Sequence, residues 1–209
     1  FSIEIVGSMK IKVGGSSDPN ADDAARLFGG FFLRITPQRF EIFVQAEAEL
    51  PALGLNGRAV GLIILDADAA SPGLPGLAMM LNLELTLGAS AEGSDQASAL
   101  DGIFELRGSV VVTMNTTLRE QVFQIPRSFL DLLPDDAPST VTVYAAAPEI
   151  NGSKRVDADP EIYISANIQG SITLFDTITL SGFISFTAAT DLSGNAFVRI
   201  AGAVGTNIQ

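Results

Sequence analysis

Histidine and cysteine are both absent from the 209 residues. Without histidine the chain lacks the commonest general base, the commonest transition-metal ligand and the side chain that titrates nearest neutral pH. Without cysteine there is no disulfide, no thiolate nucleophile and no zinc or iron–sulfur site built on sulfur. Ser-His-Asp and Cys-His catalytic arrangements cannot form, and no Walker-type loop, His-Glu-x-x-His or dinucleotide fingerprint is present. Tryptophan is missing and tyrosine occurs only as Tyr144 and Tyr163, which leaves little for stacking sugar rings or for the aromatic girdles of a membrane barrel. Positive charge is scarce: 12 Lys+Arg stand against 24 Asp+Glu, a net charge of −12. Such a field repels phosphate backbones, so nucleic acid is not expected as a partner. No apolar run approaches the roughly 18 to 20 residues of a membrane-spanning helix; the longest is 59–65.

What is present is apolar surface. Hydrophobic residues make up 47% against 17% charged, so the chain folds rather than remaining disordered. Its length fits a single β-rich body over 1–209, with a possible subdivision into 1–88 and 89–209. The chain begins at Phe1 with no charged n-region or apolar h-region, and reads as a window of a longer repetitive polypeptide. The stretch 104–117 sets the pattern. In an extended backbone Phe104, Leu106, Val110, Val112 and Met114 share one side while Glu105, Arg107, Ser109 and Thr113 share the other. Gly108 interrupts the apolar row, as glycine does at a bend or a close approach.

The same alternation predicts strands over 1–13, 31–36, 40–50, 76–88, 140–147 and 160–174. The run 59–65 does not alternate cleanly and reads as a strand buried on both faces. Asn20 to Leu27, with an asparagine or aspartate cap and Gly29-Gly30 beyond, reads as a short helix. Residues 127–133, between Pro126 and Pro134, read as one or two helical turns.

An apolar-x-Gly-x-apolar unit recurs around Gly170, Gly182 and Gly202, and again around Gly7 and Gly108. A turn at Phe175-Asp176-Thr177 places Gly170 opposite Gly182. A second hairpin turning around Leu192 places Gly182 opposite Gly202 and Ile184 opposite Ile200. Three glycines in one row across three strands would curve the sheet or open a shallow groove. The fold class expected is therefore all-β: an elongated, curved antiparallel body, sandwich or solenoid-like, with one or two short helices.

Carboxylates are the chemistry that remains. Asp157, Asp159 and Glu161 at alternate positions would project from one side of an extended segment, and Asp66 and Asp68 repeat the pair; calcium favours such clustered oxygens. A glycosidase needs only two suitably spaced carboxylates, but nothing singles out a pair. Asn115-Thr116-Thr117 and Asn151-Gly152-Ser153 match the glycosylation acceptor pattern.

The succession from 77 through Leu100-Asp101-Gly102-Ile103-Phe104 to Asn115-Thr116-Thr117, with Ile-x-Gly-Ser-Ile and Leu-Ser-Gly-Phe later, resembles β-rich tandem repeat units of very large secreted or surface bacterial proteins. That resemblance implies an extracellular or cell-surface structural module and brings no catalytic residues with it. The functional expectation is a non-enzymatic protein that assembles with copies of itself or neighbouring repeats into a fibre, surface layer or adhesin stalk. The alternative is a module that holds lipid or another apolar ligand in a β-groove.

Overall fold

The computed structural model describes residues 1–12, 23–50, 54–67, 76–88, 100, 102–130, 138–149, 152–191 and 193–208. Nine strands form one antiparallel sheet: β1 Ser2–Lys12, β2 Asp23–Ile35, β3 Arg39–Leu50, β4 Leu55–Asp66, β5 Gly76–Leu87, β6 Phe104–Asn115, β9 Ile162–Leu174, β10 Ile178–Thr190 and β11 Ala196–Ile208. They lie side by side in chain order. The single break in that order is the segment between β6 and β9, which contributes β7 Gln121–Gln124, α1 Arg127–Leu130 and β8 Thr140–Val143. β7 and β8 pair as a separate two-stranded sheet. The large sheet does not close into a barrel, because β1 and β11 are both edges. It is continuous across 88/89, since β5 pairs with β6 from Ala78↔Asn115 to Leu87↔Leu106.

The predicted helix at Asn20 to Leu27 is not formed where the chain is described. Residues 23–27 belong to β2, and Asn20 to Asp22 lie outside the described residues. Tertiary pairing overrides the local cap signal here: Leu27 sits opposite both Met9 and Ala48, and Arg26 is opposite Glu49, 3.5 Å from its carboxylate. Of the helical turns expected over 127–133, α1 Arg127–Leu130 is present, and 131–133 lie outside the described residues.

The first hairpin inference holds: Leu174 faces Ile178 and Gly170 faces Gly182. The second is displaced by two residues, with Gly182 opposite Val204 and Gly202 opposite Ile184. The loop runs from Asp191 to Asn195, closed by the Asp191 amide donating to the Asn195 carbonyl at 3.0 Å, and its centre is Ser193 rather than Leu192. A two-residue shift keeps every side chain on its face. The glycine row across adjacent strands is therefore Gly108, Gly170 and Gly182 on β6, β9 and β10, mirrored by Gly7 and Gly29 on β1 and β2.

The core lies on one side of the sheet. Phe43 is stacked on Phe123 with centroids 5.2 Å apart and meets Phe129 edge-on at 5.4 Å. Phe32, Leu62, Ile64, Ala78, Ile125, Val141 and Val143 complete the cluster. β7, α1 and β8 thus cap the sheet, and Gly30 is where Phe129 docks, because its ring fills the space a side chain at 30 would need. The run 59–65 is not buried on both faces: Leu62 and Ile64 lie under the cap while Ile63 and Leu65 are exposed. Its apparent lack of alternation arises because both faces of β4 are apolar there, one against the cap and one not.

Candidate functional site: an uncharged sheet face

Following the register from β1 to β11 sorts every strand residue onto one of two faces. The capped face carries Glu4, Arg34, Glu41, Glu47, Arg58, Glu84, Glu105, Arg107 and Arg199. Several pair along it: Arg39 lies 2.6 Å and Arg34 2.5 Å from the fully buried Glu41, Arg58 lies 3.4 Å from Glu47, and Arg107 is bound to Glu105. A buried carboxylate between two guanidinium groups is tolerable because each charge has an opposite neighbour. Glu47 is held above the usual carboxylate range, chiefly by desolvation, with Arg58 pulling the other way. Tyr163 is pushed up to about 12 by burial, and its hydroxyl donates to the Tyr144 carbonyl at 3.1 Å.

The opposite face has no charged residue among the positions whose side chains are described. From Ile3 to Ile11, Ala25 to Ile35, Phe40 to Leu50, Leu55 to Leu65, Leu77 to Leu87, Phe104 to Met114 and on to Ile208, alternate residues are aliphatic, aromatic or glycine, apart from Thr190 and Thr206. Nothing among the described residues covers it. Ile184 is 58% exposed, Ile200 73% and Val204 83%. Nine strands at about 4.8 Å spacing, each about 40 Å long, present roughly 1,500 Å². The largest apolar patch on a typical soluble monomer is about 300–600 Å². The uncovered apolar area is therefore well above that range.

A trench crosses this face at right angles to the strands, with a volume of about 950 Å³. It lies between two adjacent rows. One runs Gly7, Gly29, Ala46, Ala59, Leu83, Val110; the other runs Met9, Leu27, Ala48, Gly57, Leu85, Gly108. Small residues near the midpoint of most strands make the floor, and Met9, Leu27, Leu83 and Leu85 supply bulk beside it. Two of the glycines are required by the close approach of the neighbouring backbone. A Cβ at Gly29 would lie 2.5 Å from the Gln45 carbonyl oxygen, and one at Gly182 would lie 2.8 Å from that of Ala203. Gly57 and Gly108 are different: the nearest atoms to a Cβ there are 3.8 Å away, so they leave open floor. The line continues past β6, where Gly170 and Gly182 floor a further hollow of about 360 Å³ walled by Ile168, Ile172, Leu180 and Ile184.

Of the carboxylates named from the sequence, no three of Asp66, Asp157, Asp159 and Glu161 converge on one site. Asp157 is exposed at a turn with φ 56°, so 157–161 is not one extended segment. Asp159 is exposed. Glu161 is buried, 2.9 Å from Arg199 and 3.2 Å from Arg155, and accepts the Ala147 amide at 3.0 Å; its oxygens serve an internal ion cluster. Asp66 ends β4 and accepts from the Gln121 side chain at 3.1 Å, and Asp68 lies outside the described residues. No group of three or more potential metal ligands converges among the described residues. Asn115, in the glycosylation pattern, is fully buried and donates to the Arg119 and Tyr144 carbonyls, each at 2.8 Å; Asn151 lies outside the described residues.

No family model, curated protein or solved structure matches the chain. The uncharged face therefore stands on its own geometry. Among the described residues no helix is long and apolar enough to cross a membrane. The small residues Ala46, Ala48 and Ala59 escape a search for glycine units alone, because alanine rather than glycine stands at these three floor positions. Adding hairpin partners across the tight Pro37-Gln38 turn would have placed Ala46 beside Gly29.

Proposed function

We propose that the protein is a non-catalytic binding module whose uncharged face holds long apolar chains, the acyl chains of lipids being the chemistry that fits best. The observation that carries this reading is the trench running through a face without charge. Its seven strands span about 29 Å at about 4.8 Å per spacing. A bilayer core of about 30 Å is two acyl chains end to end, so the trench is long enough to lay one or two chains along its floor. Binding there would remove apolar area from water on both partners without asking any polar group to give up its hydration. Headgroups would remain at the ends of the strands, in solvent.

The test is titration of a fluorescent fatty acid into the purified chain and into a Gly57→Leu/Gly108→Leu variant. Both glycines have room for a Cβ, leucines there extend over the floor, and a cooperative thermal melt of the variant checks that it is folded before its affinity is read. The reading expects saturable binding by the parent and at least a tenfold weaker affinity for the variant; equal affinity of the two would exclude the trench.

A second reading is favoured by the two unclosed edges, β1 and β11. Edges left unpaired are templates for further strands, and a subunit joined through them would build the fibre, surface layer or stalk expected from the sequence, at the cell surface or outside the cell. The two readings are compatible, since strands added at an edge lengthen the trench.

A further inference from the structure

The two edges are not equivalent. β1 carries Glu4, Lys10 and Lys12 in its sequence, and its register with β2 shifts between Ile11 and Lys12. Charges and irregularities of this kind are how edge strands resist pairing. β11 has thirteen residues with no proline, no register shift and a single charge, Arg199. That charge is spoken for: the guanidinium lies 2.9 Å from Glu161 and 4.8 Å from the centre of the Phe197 ring. Among the described residues, nothing guards the outer side of β11.

From this we infer that β11 pairs with β11 of a second copy of this chain, antiparallel, about a two-fold axis normal to the sheet at Gly202. The direction follows from topology. Every neighbour in the sheet is antiparallel and there are nine strands, so β1 and β11 run the same way. Copies joined β11 to β1 by simple repetition would meet as parallel strands. A two-fold axis normal to the sheet gives the antiparallel pairing used throughout the rest of it, and keeps both uncharged faces on the same side.

The position follows from length. Full overlap sets Ala196 opposite Ile208 of the second copy, which centres the axis on Gly202, the middle residue of the strand. In that register Arg199 faces Gly205 rather than its own symmetry mate, so no like charges oppose. Ala201 faces Ala203, so the strands meet through small side chains. Ile200 faces Val204, which covers the two most exposed of the large apolar residues on this part of the face. An isologous contact of this kind closes at two copies, giving an eighteen-stranded sheet by doubling the nine of one chain; it builds no fibre or layer by itself, since growth past two copies would need β1 as well. The inference concerns an edge, and stands whether or not the face carries lipid.

The absence of cysteine makes the test clean. Ala201→Cys and Ala203→Cys chains are prepared separately in a mild non-ionic detergent that covers the apolar face, then oxidised alone and as a mixture. Direct antiparallel partners sit about 4.5–5.5 Å apart between Cα atoms, inside the disulfide range of about 4.4–6.8 Å. Like positions are diagonal neighbours at about 7–8 Å. The expected result is a covalent dimer from the mixture and none from either variant alone, with sedimentation giving a dimer for the parent. A monomeric parent overturns the inference. So does a dimer whose variants cross-link equally alone and mixed, or in neither case, because the contact would then lie elsewhere.

Discussion

The two faces of the sheet carry the same alternating sequence to different ends. On the capped face, charges are paired, polar groups are buried under β7, α1 and β8, and Phe43 is wholly enclosed. On the other, every charge has been removed and large side chains stand open. Ordinary patterning places the apolar row inside and the polar row in water. Here the row with the charges is the one the chain covers itself, while the purely apolar row stands uncovered among the described residues. Stability and apolar binding should therefore draw on different faces, and mutations should separate them.

The sharpest contrast is Phe43→Ala against Ile184→Ala. Emptying the capped site removes the ring that stacks on Phe123 and meets Phe129 edge-on, and should cost about 3–5 kcal/mol, seen as a lower midpoint in urea. The second change trims a side chain already 58% exposed; its unfolding midpoint should barely move while its affinity for apolar chains falls. Equal losses of stability would erase the distinction between the faces.

Next in size is Asn115→Ala. The amide bonds two carbonyls and accepts the Thr117 amide and hydroxyl, fixing the chain as it leaves β6 for the cap. Losing it strands buried carbonyls and should cost about 1–3 kcal/mol. Hydrogen exchange should rise first in β7 and β8 if this side chain ties the cap to the sheet.

The trench glycines divide in the same way. Gly29→Ala drives a Cβ against the Gln45 carbonyl oxygen and should destabilise by about 1–3 kcal/mol. Gly57→Ala and Gly108→Ala meet nothing closer than 3.8 Å and should be neutral or stabilising by about 0.5–1 kcal/mol, because glycine is the poorer strand residue. Thermal melts of the three variants check the order.

The smallest effect belongs to the β10–β11 loop. Asp191 is held below the usual carboxylate range by the side chain and amide of Asn195, with the amides of Ser193 and Gly194 adding to it. A depressed folded value stabilises the loop above the unfolded carboxylate value, and that support is lost as pH falls through the folded one. Amide exchange at Gly194 and Asn195 should quicken on acidification, and Asp191→Ala should show the fast rate already at neutral pH.

Much of the architecture is legible in the residues because strands of period two declare their own faces. The hairpin at Phe175-Asp176-Thr177 even allows Gly170 to be set against Gly182 by counting. The β10–β11 register slips by two because the count centres on Leu192, whereas the Asp191 cage of hydrogen bonds centres the loop one residue later. β2 is extended through Ala25 and Leu27 because two neighbouring strands demand it, which no local cap reveals. Which face the chain covers is also invisible locally: it depends on where the segment between β6 and β9 folds back, and the more apolar row is not the one it chooses. Glu161 reads as a calcium ligand from spacing alone because Arg199, its partner, stands 38 residues away.

The most direct measurement is photo-cross-linking with a diazirine-bearing fatty acid, mapped by peptide mass spectrometry. If apolar chains lie in the trench, label falls on Ala46, Ala48, Ala59, Leu83 and Leu85 and skips Gln45, Val60 and Asn82, which share a row on the capped face. Label on that capped row, or none on β3 to β5, would contradict the account.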